Sequence, residues 1–293
     1  MATLRAIQRR IKSVRNISQV TRAMEMVAAS KMRRAQQSTL ASRAYAEKSW
    51  QVLNYVAAQP GRGKTLHPLL EEREQVKNIL VILMTSDRGL CGAFNMNILR
   101  TTFDFIKQSE KPVKMVTVGR RGRDLAMRSG KEIIAEFTGL SEKPKMLDIG
   151  PIAKIAIEEF TSGRVDQVEI AYTDFVNVIK QVPQVKQLLP IVTPKERPAD
   201  ASAVYLYEPN PEAILDSILP RFTELQIYQA LLESVASEHS ARMVAMRNAT
   251  ENARELIDGL SLVYNKARQW NITKEMLDIA GGAEALRQAL AAK

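Results

Sequence analysis

The 293-residue chain has one cysteine, two histidines and few aromatic side chains, only 5% of the total. A single thiol, Cys91, cannot form an internal disulfide, and this favours a reducing compartment. Two isolated histidines, His67 and His239, offer no paired-histidine motif or metal-ligand cluster and give Cys91 no evident base. No apolar run approaches the ~20 residues needed to cross a bilayer, and the start of the chain lacks the apolar stretch of a secretory signal. Glycine and proline are missing from residues 1–59, until Pro60-Gly61 ends the run. Taken together these absences exclude a disulfide scaffold and argue against a metalloenzyme or a thiol enzyme.

What is present is a basic, helix-prone chain. Its net charge is +10, but the excess lies at one end. Residues 1–48 hold eleven Lys or Arg against two Glu, whereas the stretch from Glu212 onward holds nine basic and eleven acidic residues. A local +9 implies a locally acidic partner: nucleic acid, anionic lipid or acidic protein loops. The first 44 residues have no aromatic, and the long heptad seam lies at the far end of the chain. Neither feature suits nucleic-acid binding, which is not expected.

Leu4, Ile7, Ile11 and Val14 are spaced 3 and 4 apart, and Ile17, Val20 or Thr21, Met24, and Val27 or Ala28 extend the pattern with a small drift. A helix over 3–57 would be roughly 80 Å long, too long for an ordinary core helix. At the other end Leu225, Leu232, His239, Met246, Ala253, Leu260 and Ala267 lie seven apart. Ala236, Met243, Thr250, Ile257 and Tyr264 interleave four residues after the first series. This is a coiled-coil seam, and two long helices at opposite ends of one chain pair most simply with each other, antiparallel. Pro220, near the start of the last helix, should kink or break it.

Between the ends the texture changes. Lys77–Thr85 reads as a buried parallel strand, followed by a helix over 95–108 and a strand over 113–118. A helix over 121–129, a strand over 133–137, a helix over 152–160 and a strand over 167–172 continue the alternation, which indicates an α/β domain with a partly parallel sheet. A polar linker, Lys195–Ala203, then leads through Tyr205–Pro211 to the last helix. The turn Thr85–Gly92 lies where α/β proteins bind phosphate, yet it matches neither the dinucleotide fingerprint nor the lysine-containing nucleotide loop. Gly61-Arg62-Gly63-Lys64 also lacks the upstream glycine and the flanking strand. Both read as structural, and His239 as a packing residue of the seam.

Four stretches carry a resemblance. They are Arg9–Asn16 continuing to Thr21–Met32; Thr85-Ser86-Asp87-Arg88-Gly89-Leu90-Cys91-Gly92; Ala241–Met246 through Leu262–Gln269; and Ile272-Thr273, Glu275, Asp278 and Gly282-Ala283. In this order and spacing they resemble the gamma subunit of the F-type, rotary ATP synthase of bacterial type. The resemblance implies a long antiparallel coiled coil of the N- and C-terminal helices, with a Rossmann-like α/β domain inserted between them. The expected divisions are a coiled-coil helix over 1–59, an α/β foot over 76–193 and a second coiled-coil helix over 212–293. It also implies a non-catalytic shaft, without cofactor or metal, inside a ring of three alpha and three beta subunits. The foot would sit with the epsilon subunit and the c-ring, on the cytoplasmic face of a bacterial membrane.

By the same resemblance Arg268, Gln269, Thr273 and Glu275 meet the beta subunits, and Met24, Lys31 and Arg33 meet an acidic beta loop. Tyr205, Tyr207 and Glu208 meet the c-ring and epsilon. Trp270 departs from the family, which tends to be small there, and the cysteine pair of some photosynthetic members is absent. The competing reading is an α/β nucleotide-binding protein with a coiled-coil oligomerisation arm.

Overall fold

Six consecutive buried apolar residues, Ile79–Met84, make the central strand of the sheet, β1. In the computed structural model, which describes residues 4–57, 67–73, 75–140, 144–192 and 211–291, the elements alternate as the sequence predicts. Helix α1 spans Leu4–Ala57, and a short 3-10 turn spans Pro68–Leu70. After β1 come α2 (Phe94–Ser109), β2 (Val113–Val118), α3 (Arg120–Arg128) and β3 (Glu132–Phe137). Then follow α4 (Met146–Thr161), β4 (Gln167–Phe175), β5 (Gln181–Leu189) and α5 (Pro211–Ala291). The strand order is β3-β2-β1-β4-β5; the first four are parallel and β5 is antiparallel to β4. The predicted linker 195–203, the segment Tyr205–Asn210 and the Gly61–Lys64 stretch lie outside the described residues.

By its contacts the chain falls into two units, one of residues 1–26 with 245–293 and the other of residues 27–244. In the larger unit, alternate residues of β1 enter two cores. Leu80, Ile82 and Met84 pack with Ile152, Ala156 and Phe160 of α4 and with Leu215, Leu219 and Phe222 of α5. Ile79, Val81 and Leu83 pack with Ile98, Leu99 and Ile106 of α2. The period of two along a strand thus produces the layered arrangement, with helices on both faces of the sheet. Below β1, Asp166 ties the start of the sheet together. It accepts from Arg73 at 2.8 Å and from the backbone N–H groups of Lys77 and Asn78 at 2.8 and 2.9 Å. Burial alone would lift its pKa, but these donors hold it below the ordinary carboxylate value.

The smaller unit is a pair of antiparallel helices. Leu4, Ile7, Ile11, Val14, Ser18, Thr21 and Glu25 of α1 are buried or half-buried, a strict alternation of 3 and 4. On α5 the same holds for Met246, Thr250, Ala253, Ile257, Leu260, Tyr264 and Ala267. Thr21 and Thr250 meet across the seam, with their hydroxyl oxygens 2.7 Å apart.

Four features differ from the sequence reading. The α1 seam does not drift: Ile17 and Val20 are 53% and 58% exposed, and the polar Ser18, Thr21 and Glu25 hold the strict positions. Their hydroxyls and carboxylate hid a regular period from a count of apolar residues. Pro220 does not end α5, which runs on as one helix from Pro211 to Ala291. Helix α4 starts six residues before Ile152, since Asp148 accepts the Lys145 N–H at 2.8 Å and Gly150-Pro151 is carried inside the helix. Strand β5 was not assigned from the sequence, where Pro183 and its polar residues interrupt the apolar pattern; an edge strand tolerates proline, having one unpaired side.

Candidate partner-binding surfaces

The far end of α5 is a helix without a companion among the described residues. With Thr21 opposite Thr250, antiparallel counting sets Val14 against Ile257, Ile7 against Tyr264 and Leu4 against Ala267. Past Ala267 every described position is exposed where its burial is described. Arg268, Gln269, Thr273 and Glu275 all stand there, and the Thr273 hydroxyl donates to the Gln269 carbonyl at 3.0 Å.

One set of residues on this tip was missed at the sequence level. Ile272, Met276, Ile279, Ala283, Leu286 and Leu290 alternate 4 and 3 apart, and each is exposed. A heptad stripe of this kind needs a cover, and this unit supplies none among its described residues. The signal was available: the apolar period resumes after Ala267, two residues out of phase with the seam. Gly281 and Gly282 also lie in the tip, and a Cβ added to either would meet nothing within 4 Å.

On α1, Met24 and Lys31 are half-buried and Arg33 is exposed. Within the larger unit Lys31 lies near enough to Glu238 of α5 to favour its charged form. Burial pushes the Glu238 carboxyl up, and Arg242 offsets this through an ion pair of 2.7 Å. Lys31 is therefore partly engaged within the chain, whereas Arg33 is presented to solvent. Tyr205, Tyr207 and Glu208 lie outside the described residues.

Arg242 also explains the turn after β1. Its second guanidinium nitrogen donates to the carbonyls of Arg88 and Gly89, both at 3.3 Å. His239, buried in the seam as expected, places its ring nitrogen 3.2 Å from the same guanidinium. Inside the turn the Ser86 hydroxyl donates to Arg88 O at 2.7 Å, and the Asn95 amide donates to Ser86 Oγ at 2.7 Å and to Cys91 Sγ at 3.2 Å. Burial pushes the Cys91 thiol up, away from the thiolate a nucleophile needs.

Asp87 accepts the N–H groups of Arg120 and Gly139, both at 2.9 Å, so its carboxylate occupies the N-terminus of α3 where a phosphate would sit. Gly119 permits this approach. Its φ is +96°, and a Cβ there would lie 2.1 Å from the Thr85 carbonyl oxygen. The turn is a structural joint that locks the foot to α5, not a nucleotide cradle. Among the described residues no cluster of His, Cys, Asp or Glu fits a metal ion, and no helix is long and apolar enough to cross a membrane.

Comparison with known proteins agrees with this construction. Residues 3–286 match the family model described as ATP synthase. The chain is 54% identical over 286 residues to the ATP synthase gamma chain of Dehalococcoides mccartyi strain CBDB1, covering 98% of this chain and all of that one. The chain belongs to the ATP synthase gamma-chain family. The gamma chain of Roseiflexus castenholzii is 49% identical over 293 residues, again with 98% of this chain and 100% of that one covered. An OSCP, F1 and c-ring structure of the Euglena gracilis mitochondrial ATP synthase shares the fold at a TM-score of 0.67 and 19% identity. It covers 97% of this chain and 94% of that chain. The Tetrahymena thermophila central stalk and c-ring structure matches at a TM-score of 0.59 and 24% identity, covering 78% and 99%. As a gamma chain, this protein is a subunit of the ATP synthase, a membrane-associated complex.

Proposed function

We propose that this gamma chain turns with a c-ring and converts ion-driven rotation into conformational cycling of catalytic beta subunits, for ATP synthesis or hydrolysis. It takes no part in catalysis itself and binds no cofactor. The observation that carries the reading is the uncovered heptad stripe on α5 past Ala267, on a helix of 81 residues. An exposed apolar stripe on an unpaired helix suits a surrounding sleeve, and a ring of three alpha and three beta subunits supplies one. An asymmetric shaft meets three equivalent sites differently, and only such differential contact can shift them between states.

In this reading Arg268, Gln269, Thr273 and Glu275 bear on the ring at the tip, and Met24, Lys31 and Arg33 on an acidic beta loop lower down. Tyr205, Tyr207 and Glu208 bear on the c-ring and epsilon subunit. Functionally the chain divides into residues 1–59, 76–193 and 212–293, which serve as shaft, foot and shaft. The complex stands on the cytoplasmic face of a bacterial membrane, with this chain peripheral and without nucleic acid. The test is co-purification of the tagged chain from its host with subunits counted by mass spectrometry. Recovery of alpha, beta and epsilon at three, three and one per tagged chain, with ATPase activity, is the expected result. Recovery of the chain alone, or with nucleic acid, overturns it.

A further inference from the structure

The seam between α1 and α5 holds a polar pair where apolar side chains would pack more favourably. Thr21 is 9% exposed and Thr250 is 2% exposed, and 229 positions of sequence separate them. Their oxygens lie 2.7 Å apart; Thr250 Oγ1 is also 2.8 Å from Met246 O, and Thr21 Oγ1 is 3.1 Å from Ser18 O. Two hydroxyls have two protons between them. One is donated across the seam, and the other goes from the accepting hydroxyl to a carbonyl of its own helix. Both oxygens are then satisfied, and the chain of bonds closes only when these two residues face each other. The flanking seam is weakly selective: Ser18, Ala253 and Met246 are small or adaptable, and a row of such residues tolerates a shift by one heptad. A shift of seven on α5 would set Thr21 against Ile257, and a buried hydroxyl would lose its cross-seam partner.

We infer that the Thr21–Thr250 pair fixes the register of α1 against α5, so that torque passes between the two helices without slip. Thr21 and Thr250 are thus positioning residues; they need touch no partner subunit. Single polar seam residues specify register in coiled coils generally, at some expense in stability. The inference rests on the rotor reading of the preceding section, but register itself can be read whether or not that reading holds.

The test uses the assembled complex, carrying cysteines at Val14→Cys with Ile257→Cys as the in-register reporter. Val14→Cys with Tyr264→Cys reports the register one heptad away. Native Cys91 is buried and can stay. With both threonines present, oxidation should cross-link the first reporter and leave the second unlinked. In T21V/T250V, which keeps the shape and removes both hydroxyls, the ratio of in-register to shifted cross-links should fall about fivefold or more, since one net hydrogen bond is worth about that factor.

Proton transport per ATP hydrolysed should fall with the ratio, while the thermal midpoint stays level or rises, because this layer of the seam has become apolar. T21S/T250S keeps the hydroxyls and should restore both the ratio and the coupling. Should the double valine chain fail to assemble, T21V alone serves, as it too removes the cross-seam bond. Unchanged register and coupling in a valine variant would overturn the inference. Failure of the rotor reading would show differently, as unmodified chain that recovers no ring.

Discussion

Glu169 lies on β4, 4% exposed, with its carboxyl held by the Gln167 side-chain amide at 2.7 Å. Burial pushes its pKa up to about 7 from an ordinary 4.5, only partly opposed by that hydrogen bond. Below pH 4.5 the group is protonated both folded and unfolded, so it has no effect on stability there. Between 4.5 and about 7 the unfolded chain gives up the proton first, and stability falls as pH rises. Glu169→Gln should therefore match the parent chain near pH 4.5 and exceed it by up to about 3 kcal/mol at pH 8, in denaturant melts at both values. Equal stability of the two chains at pH 8 would show that burial does not raise the pKa of this carboxyl. Gly119 permits a second test. Alanine there meets the Thr85 carbonyl at a φ that side chains avoid, so Gly119→Ala should cost about 3 kcal/mol or more in the same melts.

Among the elements, the strands and the long helices were readable because each obeys one period over many residues. The predicted strand 113–118 coincides with β2, and all twelve residues in the two seven-spaced series on α5 are buried or half-buried. Elements whose stabilisation comes from elsewhere were less legible. Strand β5 is apolar only in part and draws its order from the ladder with β4. Seam positions such as Ser18 and Thr21 look like surface residues until the opposing helix is in place. The joint of the turn with Arg242 was out of reach for a similar reason, since it links Arg242 to carbonyls 154 and 153 positions earlier in the chain. At the tip, Met276→Ser with Ile279→Ser should leave the melting of the chain within about 0.5 kcal/mol, as both side chains are exposed. Buried Ile82→Ala should cost about 2–5 kcal/mol in the same assay. The tip variant should instead lose alpha and beta subunits in co-purification, and full retention of both would remove the stripe from the ring interface.

For the molecule as a whole, the excess positive charge on residues 1–48 is concentrated on the helix that carries Met24. Met24→Lys adds a further cation to this face and should lower proton pumping more than ATP hydrolysis, measured on the same vesicles. A parallel fall in both by one factor would place Met24 outside the coupling path. The foot, by contrast, has its own two cores and its own joint to α5, and its stability should be indifferent to that change.

The paired glycines 281 and 282 bear on how the complex is put together. Each costs a helix interior about 1 kcal/mol relative to alanine, and no side chain in the described structure packs against them to compensate. Amide hydrogens from Ile279 onward should then exchange with solvent far sooner than those of β1, and proteases should trim this end first. The ring would complete the ordering of the last turns as it closes around them. Part of its binding energy would be spent on ordering them, and the chain's end would become protected only after assembly.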